Sequence, residues 1–197
     1  MKIVQGGTDK PLLAIINECD SHMEAKRYAA LAMANLSASH ANHQSLTAEE
    51  GLLDALFFFT NSPDLLSKYY LSCTLANFVC NTQNHEWMVL KGGLQPIIAL
   101  ASSADFDTQR QAAAALRRLS PTDEISIKIV QEGGLEPLEK ILATKVDVEI
   151  LREVTACMCN LSLSDKNRFE IAKCGAVSPL IANLQSDDML ISEQCCS

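Results

Sequence analysis

Aromatic residues are scarce in this 197-residue sequence, at 5%, and glycine and proline number only eight and six. Sandwiches and barrels draw on aromatic strands and many turn residues, so the scarcity argues against them and points to helices. Positive charge is short as well: 16 Lys and Arg face 24 Asp and Glu, a formal net charge of −8. That is the wrong sign for a phosphate-binding surface, and nucleic acid is not expected as a partner. No apolar run approaches the roughly 18 residues of a membrane span, and Met1-Lys2-Ile3-Val4-Gln5 lacks a signal peptide's apolar stretch. The expectation is a soluble cytoplasmic chain without membrane insertion, with nuclear, organelle-surface or cytoskeletal association left open. What is plentiful is apolar character, 48% of residues against 20% charged, enough for a substantial core. With such a core the eight cysteines need no disulfide scaffold and read as reduced thiols.

The chain repeats itself. Gly92-Gly93-Leu94-Gln95-Pro96-Ile97, Gly133-Gly134-Leu135-Glu136-Pro137-Leu138 and Gly175-Ala176-Val177-Ser178-Pro179-Leu180 are copies, with Gly51-Leu52-Leu53 lacking the proline and Gly7-Thr8-Asp9-Lys10-Pro11-Leu12 opening the series. Their first glycines lie 44, 41, 41 and 42 residues apart, the period of two- or three-helix solenoid repeats. A second signature keeps the same step: Ala32-Met33-Ala34-Asn35-Leu36-Ser37, Thr74-Leu75-Ala76-Asn77-Phe78-Val79, Ala115-Leu116-Arg117-Arg118-Leu119-Ser120 and Cys157-Met158-Cys159-Asn160-Leu161-Ser162. Two motifs sharing one period fix the register.

Each unit reads as three helices, in the fourth repeat at 124–132, 135–144 and 147–162. Glycine breaks the first helix from the second, and Pro96, Pro137 and Pro179 suit a helix's first turn. In the third helix, counted from the Asn position, Ala29, Leu71, Ala112 and Val154 stand at −6, Met33, Leu75, Leu116 and Met158 at −2, and Leu36, Phe78, Leu119 and Leu161 at +1. These spacings of four and three make one buried stripe. Small residues at −3 (Ala32, Thr74, Ala115, Cys157) let neighbouring helices approach.

These motifs resemble armadillo repeats, and the resemblance covers essentially the whole chain, with a general look like the vacuolar-adaptor-like and sperm-associated armadillo scaffolds. HEAT repeats, with two helices and no Gly-Gly corner, fit less well. The resemblance implies an all-α, right-handed α-α superhelix of four to five three-helix repeats, at about 1–40, 41–82, 83–123, 124–164 and 165–197, forming a single domain. Lys2-Ile3-Val4-Gln5 duplicates Lys128-Ile129-Val130-Gln131, and the ladder position after Asn160 projects to 202, so the expected solenoid is cut within a repeat at both ends. Solenoids need polar terminal caps. The expectation is a fragment of a longer solenoid, or ends covered by a partner or by end-to-end self-association.

In armadillo superhelices the third helices line a concave groove whose repeated Asn side chains hold the backbone of an extended peptide. Asn35, Asn77 and Asn160 match that pattern. An amide offers both donor and acceptor, so it can satisfy a peptide unit whatever its side chain; alternatively these Asn tie the loop after the third helix. Arg118 interrupts the ladder with a fixed charge. Nuclear-localisation-signal binding of the importin-alpha type is excluded, because the position four before the Asn carries Leu31, Cys73, Ala114 and Ala156 instead of Trp. Arg27, Tyr69, Arg110 and Arg152 stand eight residues before the ladder, about 80° around the helix. With Arg118 they would make a basic stripe favouring acidic or phosphorylated segments, unless they pair with acids such as Glu24, Asp107 and Glu149.

Catalytic and metal residues are absent from this reading, and no cofactor is expected. Cys157-x-Cys159 and Cys195-Cys196 fall on packing positions, and Gln194 stands where a prenylation box needs Cys. His43 and His85 recur one period apart, which explains them without a metal. No phosphate loop or nucleophile elbow occurs. One of Phe57, Phe58 and Phe59 should remain exposed, and the single tryptophan, Trp87, should pack. The function the resemblance implies is a non-catalytic scaffold or adaptor holding extended, acidic segments of other proteins in the concave groove. The alternatives are the substrate-recruiting part of a larger ubiquitin ligase and a chaperone nucleotide exchange factor.

Overall fold

The computed structural model describes residues 9–18, 22–144 and 147–183, and among these it holds thirteen α-helices. The contacts divide the chain into two compact units, Met1–Pro96 and Ile97–Ser197. The first contains α1 (Asp9–Asn17), α2 (Met23–Ser37), α3 (His40–Ala48), α4 (Leu52–Phe57), α5 (Leu65–Val79) and α6 (His85–Leu90). Helix α7 (Leu94–Ala101) carries the boundary. The second contains α8 (Phe106–Leu119), α9 (Asp123–Gln131), α10 (Leu135–Ala143), α11 (Val148–Ser162), α12 (Asp165–Lys173) and α13 (Val177–Asn183). The fourth repeat's helices therefore fall within a residue of their predicted bounds.

Third helices stack on third helices: α2 packs on α5 in the first unit, and α8 on α11 in the second. The predicted stripe makes that seam. Ala29, Met33, Leu71, Leu75 and Phe78 are buried in the first unit, and Ala112, Leu116, Leu119, Val154, Met158 and Leu161 in the second. Leu36 alone of the stripe is half-buried. At −3, Thr74, Ala115 and Cys157 are fully covered, as close stacking requires. Truncating one of the large members, such as Met158, would cost about 2–5 kcal/mol in lost transfer energy and cavity.

The corner between first and second helices has a definite chemistry. Gly133 sits at φ +90°, and its N–H bonds to Val130 O while the Gly134 N–H bonds to Ile129 O. This pair of bonds is a Schellman motif, which stops α9 at a left-handed residue. Gly92 and Gly93 repeat it against Val89 and Met88. The first glycine is thus conformational, while the second makes room: a Cβ on Gly134 would stand 2.8 Å from Ile129 O.

Three third helices, α5, α8 and α11, begin at aspartates, whereas α2 begins after His22. Asp64 accepts from the Ser67 N–H and hydroxyl, and Asp105 does the same with Thr108. Their ends are tied by side chains six residues on, which supply donors to carbonyls a helix terminus leaves unpaired. Asn42, Asn84 and Asn167 donate to Leu36 O, Phe78 O and Leu161 O. His43 and His85 contact Ser37 O and Val79 O in the same way, so their repetition is structural.

Of the three consecutive phenylalanines, Phe59 is fully buried and Phe58 is 52% exposed, with the Lys26 ammonium 4.6 Å above its ring. Trp87 packs edge-on against Phe78. Lys2, Val4, Gly7 and residues 187–197, Cys195 and Cys196 among them, lie outside the described residues, as do both ends of the expected solenoid.

Candidate functional site

Asn77 lies on α5 and Asn160 on α11, each half-buried. Asn77 Nδ2 donates to Ala34 O and Ser37 Oγ, both at 3.1 Å, at the end of α2. Asn160 Nδ2 donates to Ser120 Oγ at 2.9 Å and Arg117 O at 3.4 Å, at the end of α8. In each case the two acceptors are bonded to one another, at 2.9 and 2.8 Å, and lie close together as seen from the amide. One N–H is therefore shared between them. The second N–H and the carbonyl oxygen of each amide remain for another partner, and the tie fixes their direction. Asn35, on α2, is exposed.

The arginines are used differently from a uniform stripe. Arg27 forms a two-point pair with Asp64, Nε to Oδ2 at 3.0 Å and Nη2 to Oδ1 at 2.6 Å. Asp64 is thereby both helix cap and ion-pair acceptor. The Arg27 bonds, with those from Ser67, hold its carboxyl down at about 2, and the same contact raises Arg27. Arg110 bridges Glu149 at 2.8 Å and Asp107 at 3.4 Å. Partial burial works against its charge, but the two carboxylates outweigh it and raise its pKa. Arg117 pairs with Glu153 at 2.5 Å. The local pairing foreseen for Arg110 with Asp107 and Glu149 is present, whereas Arg27 takes its hydrogen bonds to Asp64 and not to Glu24.

Arg118 is the exception. Its Nη1 is buried and has no hydrogen-bond partner. It borders a cavity of about 290 Å³ in the second unit, shared with Arg110, Arg152, Glu149, Glu153 and Ala114. The cavity opens where α8 carries alanine four residues before the ladder position. Arg152 lines the same space, and Tyr69 sits on α5 with its ring 5.6 Å from that of Tyr70.

Sequence reasoning missed two contributors, Arg117 and Glu153. Their signal is positional: Arg117 immediately precedes the ladder residue Arg118, and Glu153 immediately follows Arg152 in the next repeat, on the third helix that stacks against it. Cys157 is fully buried, and burial pushes its thiol up to about 12, an inert group. Among the described residues no group of three His, Cys, Asp or Glu could hold a metal ion, and no helix is long and apolar enough to cross a membrane.

Comparison with known proteins accords with this architecture. The Armadillo/beta-catenin-like repeat family matches residues 85–120. A designed armadillo repeat protein made for modular peptide recognition superposes with a TM-score of 0.89 at 21% identity, covering 99% of this chain and 82% of that one. A second design, solved in complex with the peptide (KR)4, gives 0.86 at 20% identity over the same shares. Protein CELLULOSE SYNTHASE INTERACTIVE 3 of Arabidopsis thaliana is 27% identical over 161 residues, 76% of this chain. The chain spans only 7% of that protein's length. Residues 85–120 match the armadillo repeat family, and the chain has the armadillo solenoid fold.

Proposed function

We propose that the chain is a non-catalytic protein-interaction scaffold, cytoplasmic, whose third-helix face holds extended segments of other proteins. The observation that carries the reading is the state of Asn77 and Asn160. Each amide is fixed by one shared N–H to the preceding third helix, and keeps one donor and one acceptor in hand. A peptide unit in an extended chain needs one of each. Fixing the amide beforehand removes the entropy that a loose side chain would lose on binding. Asn35 stands exposed at the same repeat position on α2. The peptide complex of a designed armadillo protein and the interaction for which the Arabidopsis relative is named both accord with a binding role.

The pairing of Arg27 and Arg110 with carboxylates moves the expected preference for acidic segments from a stripe to the neighbourhood of Arg118. The test is a displayed library of random peptides selected on the whole protein, followed by amide NMR with a selected peptide. Perturbations should centre on Asn35, Asn77, Asn160 and their third-helix neighbours. Failure to select any peptide, or perturbations confined to the first and second helices, would refute the proposal.

A further inference from the structure

We infer that Lys26 marks a second docking site, between the second helices α1 and α4, for a partner segment that sets a single carboxylate beside a bulky apolar side chain. Lys26, near the start of α2, lines a cavity of about 570 Å³ with Ile16, Asn17, Asp54, Ala55 and Phe58, all within the first unit. Ile16 and Ala55 give buried apolar walls and Phe58 an exposed one, against which an apolar side chain gains by leaving water. The ammonium sets this cavity apart. Lys26 is only 7% exposed, and lysine is almost never buried so far without a partner. The Phe58 ring, 4.6 Å from Nζ, attracts the charge on one side. Among the described residues no acceptor hydrogen-bonds Nζ and no carboxylate pairs with it, which leaves three N–H donors to other partners. Nor is the nitrogen sealed off. The described polar atoms that are wholly covered and unpartnered belong to Thr60, Gln109, Arg118, Thr155 and Asn183, so Nζ, unpartnered as well, keeps surface that a ligand oxygen can reach.

The surroundings set the charge and the kind of occupant. A purely apolar group would strip water from the ammonium and return nothing for it. An ionised oxygen replaces that water with a charge-assisted bond, strengthened by burial. Asp54, exposed at the rim, limits the occupant to one negative charge, because a phosphate at nearly two would set the second against it. Asn17, also exposed at the rim, offers a donor and an acceptor to the backbone of a segment, which favours a peptide over a free acid. The site is separate from the third-helix ladder. Lys26 and Arg27 are consecutive on α2 and so about 100° apart, and Arg27 is spent on Asp64. Leu151 holds the place of Lys26 in the fourth repeat, so the fold accepts an apolar residue there.

The experiment selects displayed random peptides on the whole protein, discards those that also bind Lys26→Met, and sequences the remainder. These should share an Asp or Glu next to an aromatic or branched aliphatic residue, and amide NMR should centre their perturbations on Ile16, Ala55 and Phe58. In the best binder, replacing the acid by its amide should weaken binding about tenfold or more. Asp54→Asn should leave that binding equal or tighter. Lys26→Met should melt no lower than wild type, since it removes a buried charge that the protein does not hydrogen-bond. A midpoint lower by more than about 4 °C would show that the ammonium is bonded within the fold, and would overturn the site. So would a remainder without an acidic position, no remainder at all, or tighter binding of the phosphoserine counterpart. The ladder reading is scored separately, on peptides that Lys26→Met still binds and whose perturbations fall at Asn77 and Asn160, so either can fail alone.

Discussion

Asp64 and Asp105 cap third helices in the same way, yet only Asp64 also holds an arginine, which makes the two positions a matched pair. Replacing each by Asn keeps a good capping side chain and removes the charge. At Asp105 the change should cost no more than about 0.5 kcal/mol. At Asp64 it also removes the acceptor for Arg27 Nε and Nη2 at 3.0 and 2.6 Å. A carboxyl held at about 2, against an ordinary 3.8, sets a ceiling of about 2 kcal/mol on the anion's contribution at neutral pH. Asp64 itself is 13% exposed but Arg27 is 35% exposed, so screening by water brings the expected loss to about 1 kcal/mol. The sign with pH is fixed, because the folded value lies below the unfolded one. The contribution is complete above 3.8 and is lost as pH falls through about 2, with about half gone at pH 3. Urea titrations followed by circular dichroism should therefore show Asp64→Asn below Asp105→Asn at pH 7, the gap closing on acidification. Equal losses at the two aspartates, or a gap that persists in acid, would refute the assignment of Arg27 to a structural pair.

Gly133→Ala should cost about 1 kcal/mol through its left-handed backbone alone, since a Cβ there meets nothing within 4 Å; unchanged denaturant stability would contradict the Schellman assignment. Maleimide at neutral pH should label the exposed Cys80 and leave Cys157, held at about 12 by burial, unmodified in the folded protein. Equal labelling rates would show that α11 opens readily. Asn84→Leu, which removes the donor to Phe78 O and to His43 Nδ1, should destabilise by about 2 kcal/mol. Asn81→Ala, which loses only an exposed bond to the Gln83 N–H, should cost no more than about 0.5 kcal/mol by thermal melts.

The solenoid architecture was legible because every repeat restates it. Glycine spacing placed the corners, and the −6, −2, +1 spacing placed the seam, so helix bounds in the fourth repeat came within a residue. The aspartate caps went unread, although Ser62-Pro63-Asp64-Leu65-Leu66-Ser67 and Ser103-Ala104-Asp105-Phe106-Asp107-Thr108 carry them as a local pattern complete within six residues. The fate of Arg27 was not legible, because its partner lies 37 residues away and periodicity gives a position without giving a reach. Arg118 shows the same limit. The sequence marked it as the odd member of the ladder, but that its Nη1 is buried without a hydrogen-bond partner, while Glu149 and Glu153 are engaged by Arg110 and Arg117, is a matter of packing across repeats.

Three ion pairs, Arg27 with Asp64, Arg110 with Glu149 and Arg117 with Glu153, span 37, 39 and 36 residues, each close to one repeat. They link a third helix to the next third helix or its cap, so the same side chains that a groove would use for charge recognition also set how repeats stack. A charge reversal such as Arg110→Glu would place three carboxylates together and loosen α8 from α11 before any ligand is considered. Loss of binding in that variant would not identify a contact. Recognition of a peptide must instead fall on groups the stacking does not consume. On the proposed scaffold reading, the Asn160 amide is such a group in the second unit, tied to the end of α8 through Nδ2 with its carbonyl oxygen outside that tie. A neutral amide accepts any residue's backbone, so this position would hold an extended segment without choosing its side chains.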